Sequence, residues 1–196
     1  MKLFTRSAAV LLAIFMVSCS NSNKEGQNEN WAKNAVEIAD AQLKVLVQKS
    51  DENMDQKRDS EGNLPTVNAE SKSGAKLLPR SIGKNGKVRF ENPFDWTSGF
   101  FPGTLFYMYD LTNDPKWMDA GIKYTEDLDT IKYLKWHHDV GFMINCSFGN
   151  ALRVTGTEAY KQVIVEAASS LATRFRPAAG VIQSWDEDRG WQGERG

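Results

Sequence analysis

The sequence holds only two cysteines and two histidines. Cys19 ends a leader, which leaves Cys146 alone in an apolar helical stretch. An internal disulfide is therefore excluded, and Cys146 reads as a small buried residue. The histidines are adjacent, His137 and His138. Neighbours on a helix diverge by about 100°, so they do not converge on one ion as an i, i+4 pair would. No metal and no cofactor is expected. Ser147 lacks nucleophile-elbow surroundings, which argues against a Ser-His-Asp triad. The net charge is −1 and no long basic stretch appears, so nucleic acid is an unfavourable partner. The apolar run Ala8–Val17 is too short for a comfortable membrane span.

What is present begins with that run. Lys2 and Arg6 precede it, and Val17-Ser18-Cys19 resembles a bacterial lipobox. Residues 1–19 read as a signal peptide with Cys19 as the lipidated terminus, which implies a cell-envelope lipoprotein, periplasmic or at the surface. Residues 20–30 are polar and read as a tether. The fold is expected over residues 31–196.

That region reads as a row of helices. Ala32, Val36, Ala39, Leu43 and Leu46 line one face over 31–48. Residues 50–75 read as a long polar loop. Lys84-Asn85-Gly86-Lys87 signals a turn, as a small hairpin or an ordered loop. A second helix is expected over 99–111, with Phe101, Leu105 and Met108 on its face. Asp114 can cap a third, with Pro115 at its first position and Trp117, Gly121, Tyr124 and Leu128 inside. A fourth runs from Asp139 to Val154 and ends at Gly156. Thr157 can cap a fifth, with Tyr160, Ile164, Ala167 and Leu171 inward. Past Phe175 the pattern breaks, leaving a short extended piece at 181–185. "LTNDPKW" at 111 recurs as "VTGTEAY" 43 residues later. That period suggests stacked helical hairpins, either a solenoid or a closed α/α toroid. A toroid of six hairpins needs roughly 250 residues or more, so about two and a half hairpins are expected here.

Six tryptophans belong to an aromatic-rich chain. Flat rings fill cores, and they also pack on sugar faces while Trp N–H groups meet hydroxyls. For Trp96 and Phe100 in "NPFDWTSGFFPG", and for Trp185 in "GVIQSWD", a buried loop and a carbohydrate cleft both stay open. Gly99 and Gly103 read as packing points. Asp139 reads either as a helix cap or as a carboxyl beside apolar rings, where burial would favour general-acid work. Asp186, Glu187 and Asp188 read as a solvated loop run.

"DWTSGFFPG" (95–103), "HHDVGF" (137–142) and "GVIQSW" (180–185), in this order and spacing, resemble the unsaturated glucuronyl hydrolases of bacterial polysaccharide degradation. The resemblance runs over residues 31–185. It implies an all-α fold, an incomplete (α/α)6 toroid truncated at the C-terminal side. It implies a glycoside hydrolase that releases a 4,5-unsaturated uronic acid from lyase-generated glycosaminoglycan oligosaccharides by hydrating the vinyl ether double bond. Asp139 matches one of the family's two catalytic aspartates, and Trp96, Phe100, His138 and Trp185 match its substrate-binding positions. The segment carrying the other aspartate is not matched within these residues, so the chain alone is expected to be inactive. The alternatives are an unsaturated galacturonyl hydrolase of pectin breakdown and a non-catalytic glycan-binding lipoprotein. The partner is an unsaturated uronate oligosaccharide, with the membrane reached only through the lipid anchor.

Overall fold

The computed structural model describes residues 22–65 and 74–186, with side chains from residue 30. The signal peptide and Cys19 lie outside the described residues, as do Glu187 and Asp188. Helix α1 spans Ser22–Asp55. Contacts group the chain into two units, residues 1–41 and 42–196. In the first, Val36 and Ala39 are half-buried, whereas Trp31 and Ile38 are exposed. Residues 22–30, expected as a tether, are helical here. Lys24, Glu25, Gln27 and Glu29 are adequate helix formers, and extending an existing helix costs far less than nucleating one.

The second unit begins with the rest of α1, which outlasts its expected end near residue 48. Gln48 and Lys49 donate to Glu52 at 2.9 and 2.7 Å, and the Ser50 hydroxyl donates to the Leu46 carbonyl. These local pairs sustain a polar helix face, while Ser50 and Met54 are buried. Strands β1 (Leu78–Ile82) and β2 (Val88–Glu91) form the antiparallel hairpin that the Lys84–Lys87 turn signals, with an irregularity between Pro79 and Ser81. Gly86 supplies its positive φ of 72°.

Helix α2 (Phe100–Thr112) buries Phe101, Leu105 and Met108 as expected. Helix α3 (Pro115–Glu126) starts where Asp114 accepts the Lys116 N–H at 3.1 Å. Trp117, Tyr124 and Leu128 are fully inside. A 3-10 turn (Asp129–Tyr133) leads to the loop before α4 (Val140–Ile144), which continues through a π-helical stretch (Asn145–Gly149) into α5 (Asn150–Thr155). Gly156 ends this run in the left-handed conformation. Helix α6 (Glu158–Ala172) follows. Thr157 sits at its N-cap with extended backbone but forms no side-chain cap, and its hydroxyl oxygen lies 2.9 Å from Thr155 Oγ1. The buried line on α6 is Val163, Ala167 and Ser170, so Tyr160, Ile164 and Leu171 flank it, half-buried. Strands β3 (Phe175–Arg176) and β4 (Val181–Ile182) make a short ribbon turned by Gly180.

Candidate active site

Short-range bonds wind residues 92–98 into α2. Asn92 Oδ1 accepts the Phe94 N–H at 2.9 Å, and Asp95 Oδ1 accepts both the N–H and the hydroxyl of Thr97. Asp95 also pairs with Arg80 Nε at 3.2 Å, and that guanidinium lies 5.6 Å from the Trp96 ring centre. Helix α2 then meets the α4–π run backbone to backbone. A Cβ on Gly99 would sit 2.1 Å from the Met143 carbonyl oxygen, and one on Gly103 would sit 2.6 Å from that of Cys146. Both carbonyls keep partners: Ser147 Oγ donates to Met143 O at 2.5 Å and Asn150 Nδ2 to Cys146 O at 2.9 Å. The two glycines are packing points, as the sequence suggested.

This approach assembles an aromatic triangle. Trp96 and Phe100 lie 5.6 Å apart, Trp96 and Phe142 6.3 Å, and Phe100 and Phe142 6.2 Å, all edge to face. Such contacts contribute about 0.5–1.5 kcal/mol each beyond area burial. Trp96 is 43% exposed, Phe100 38% and Phe142 52%, so these rings are not core residues. A cavity of about 330 Å³ beside Trp96 and Phe100 is walled by Leu43, Leu46, Pro79 and Arg80. Asp139, His138 and Trp185 are not among its walls.

Asp139 stands at the N-cap of α4, yet its side chain makes no cap hydrogen bond. Its carboxylate is turned instead to the histidines, with Oδ2 3.2 Å from His138 Nε2 and 3.9 Å from His137 Nδ1. The Asp139 N–H donates to His137 Nδ1 at 3.0 Å, which leaves the proton of a neutral His137 on Nε2. Burial pushes the His137 pKa down; the Asp139 charge opposes this, and His138 and Arg174 reinforce it. The His138 ring meets Trp185 edge to face at 4.7 Å. Phe142 lies one turn beyond Asp139, so α4 carries one member of each group.

The histidines precede the helix rather than lie on it, which removes the divergence argument made from sequence. Their rings stack at 5.7 Å. Ligand atoms of His137, His138 and Asp139 lie within 4.8 Å of one another, and no fourth acidic, histidine or cysteine ligand joins them among the described residues. His137 Nδ1 is already committed as an acceptor.

Two residues escaped the sequence reading. Arg174 is 2% exposed, and Asp186, read as part of a solvated run, is paired with it at 2.9 Å. A lone arginine past a helix end looks like any surface cation, and only the folded positions of its acceptors reveal it.

No protein-family model matches the chain. An unsaturated glucuronyl hydrolase of Formosa agariphila is 38% identical over 115 residues, 58% of this chain and 29% of the relative. One from Bacillus sp. (strain GL1) is 33% identical over 118 residues, 58% of this chain and 31% of the relative. The crystal structure of an unsaturated glucuronyl hydrolase specific for heparin superposes with a TM-score of 0.56 at 38% identity, covering 74% of this chain and 37% of that one. The matched stretch is homologous to the unsaturated glucuronyl hydrolases. The chain spans between 29% and 31% of the length of these two curated relatives. Its helices match part of the (α/α)6 toroid of these hydrolases, as the motif resemblance implied, and this decides between the solenoid and the toroid that the repeat left open.

Proposed function

We propose that the protein bearing this chain is a glycoside hydrolase that removes a 4,5-unsaturated uronic acid from lyase-generated glycosaminoglycan oligosaccharides. The observation that carries the reading is Asp139: a carboxylate at a helix start that does not cap the helix and is held by His138 beside Trp185. Relatives named for glucuronyl and chondroitin substrates support the glycosaminoglycan class over pectin or mere glycan binding.

The chemistry is hydration of a vinyl ether. A protonated carboxyl gives its proton to C4, and positive charge develops at C5. Water adds at C5 and returns a proton to the donor carboxylate; the hemiketal then opens to a C5 ketone, and the hemiacetal left at C1 collapses to an aldehyde, breaking the C1–O bond and releasing the next sugar. The resemblance assigns the proton donor to an aspartate outside the matched motifs. Asp139 then serves as the carboxylate facing the developing charge, where a fixed anion in a water-poor site contributes most. His138 orients that carboxylate through its 3.2 Å contact, and Trp96, Phe100 and Trp185 offer flat faces to the sugar ring. The leader ending in Cys19 supports an envelope lipoprotein, placed where such oligosaccharides arrive.

The test uses the full polypeptide carrying this chain. It is incubated with unsaturated chondroitin, hyaluronan or heparin disaccharide while the ultraviolet absorbance of the conjugated double bond is followed. Absorbance is expected to fall steadily, and Asp139→Asn to slow it about a hundredfold with the fold intact. A fall at the same rate in Asp139→Asn, or no fall with any of the three, would overturn the proposal.

A further inference from the structure

Arg174 follows α6 directly, with its side chain buried and its N–H bonded to the Leu171 carbonyl at 3.0 Å. A guanidinium has five N–H donors in a rigid fork, and here four hydrogen bonds and an ion pair hold it. Nε donates to the Gln183 carbonyl at 2.8 Å. Nη1 donates to the Lys135 carbonyl at 2.9 Å and to Asp186 Oδ2 at 3.2 Å. Nη2 donates to the Ser184 carbonyl at 2.9 Å and meets Asp186 Oδ1 at 2.9 Å.

These acceptors lie on two loops. Lys135 begins the stretch that presents His137, His138 and Asp139. Gln183, Ser184 and Asp186 bracket Trp185. The Gln183 side chain adds a 2.6 Å bond to the Trp185 carbonyl, and the Gln183 N–H returns to the Arg174 carbonyl at 3.0 Å. The indole and the His138 imidazole, one from each loop, meet at 4.7 Å. Ordinary stability does not require such a group, since well-packed apolar residues often replace a buried ion pair without loss. A buried fork bonded to several acceptors instead fixes where those acceptors lie relative to one another.

We propose that Arg174 is a positioning residue: its guanidinium, braced by Asp186, holds the loop of His138 and Asp139 and the loop of Trp185 at one separation, so that imidazole and indole together receive the unsaturated sugar ring. The sugar part of this inference rests on the function proposed above; the clamp itself does not. Lysine cannot substitute, because its three donors on one nitrogen lack the fork.

In the full polypeptide carrying this chain, His137 and His138 serve as the spectroscopic probe, with His137→Gln assigning the His137 signal. Nuclear magnetic resonance of their ring protons is compared in wild type, Arg174→Lys, Asp186→Asn and Trp185→Leu, the last defining the His138 signal without the indole ring current. In folded Arg174→Lys and Asp186→Asn, the His138 signals are expected to move toward their Trp185→Leu positions while those of His137 move less. For the unsaturated disaccharide, KM is expected to rise about tenfold in Asp186→Asn, with kcat changed less than about threefold. Unchanged His138 signals in the folded variants, even with a lowered Tm, would show a structural staple only and overturn the proposal. If Arg174→Lys fails to fold, Asp186→Asn decides alone. If wild type shows no turnover, the functional reading fails while the ring-current result still decides the clamp.

Discussion

Replacing Gly99 with alanine pits two physical effects against each other. Gly99 has φ −75° and ψ −14°, an ordinary right-handed helical conformation that alanine adopts without strain. On backbone entropy alone, Gly99→Ala should stabilise by about 0.4–1 kcal/mol. Sterically the new Cβ would lie 2.1 Å from the Met143 carbonyl oxygen, 2.8 Å from its carbon and 2.9 Å from the Met143 Cα. Ordinary contact starts near 3.4 Å, so α2 and α4 must separate by about 1 Å. The obstacle is backbone on both sides, so no side chain can swing away. Overpacking of this kind costs about 1–3 kcal/mol, and this geometry belongs at the upper end. The steric effect wins, with a net loss of about 2 kcal/mol. For a chain of this size that lowers Tm by roughly 4–8 °C. Gly141→Ala is the internal control: it lies in the first turn of α4, is exposed, and its Cβ would meet no atom within 4 Å. It should be neutral or raise Tm slightly. Differential scanning calorimetry and near-ultraviolet circular dichroism of both variants give the answer. The dichroism should change in Gly99→Ala alone, because the Trp96–Phe100–Phe142 triangle rides on that contact. Equal Tm values for the two variants would refute the close approach.

Three further outcomes are expected. His137 is held below its ordinary 6.5 chiefly by burial, so the unfolded chain binds its proton more readily; the stability this gives is present above about pH 6.5 and is lost as pH falls through the lower folded value. Urea unfolding should therefore show a drop from pH 7.5 to 5.5 that shrinks in His137→Gln, and an unchanged drop would contradict the assignment. The Thr125 hydroxyl is buried without a hydrogen-bond partner, so the isosteric Thr125→Val should raise stability by about 1 kcal/mol in urea titration, where a loss would reveal an unseen partner. Labelled fatty acid should attach to the protein and vanish in Cys19→Ala, and equal labelling of both would exclude the anchor.

The parts of the fold legible in the sequence were those that local rules determine. Helix α3 is the plainest: Asp114, Pro115 and the spacing of Trp117, Gly121 and Tyr124 set its start and its buried side without reference to anything distant. The end of α1 was missed because its last turns are polar, and polar residues on an exposed helix face look like a loop until Ser50 and Met54 are seen buried. The face of α6 was read slightly off centre because its inward line ends on Ser170 and runs on to Arg174 beyond the helix, and an apolar count passes over both. At the site, motif resemblance named residues that the structure then placed in two groups. It could not supply Arg174, whose Lys135 partner lies 39 residues away.

The aromatic triangle was beyond any periodicity argument because it rests on a backbone contact beside the π-helical stretch. A π turn shifts the carbonyl ladder by one residue and commonly marks functional sites. Here it lies where Met143 and Cys146 present carbonyls to the two glycines of α2. Those carbonyls need donors that do not thicken the contact, and Ser147 and Asn150 supply them from one turn along the same run. With the donors on their own helix, the opposing face of α2 can remain bare backbone, and the helices approach closely enough for Phe100 to meet Phe142. Phe142 is three residues from Asp139 on that same helix, so the separation of two backbones sets how near the aromatic faces stand to the carboxylate. Sequence patterns record side chains, and the decisive contact here is made without any.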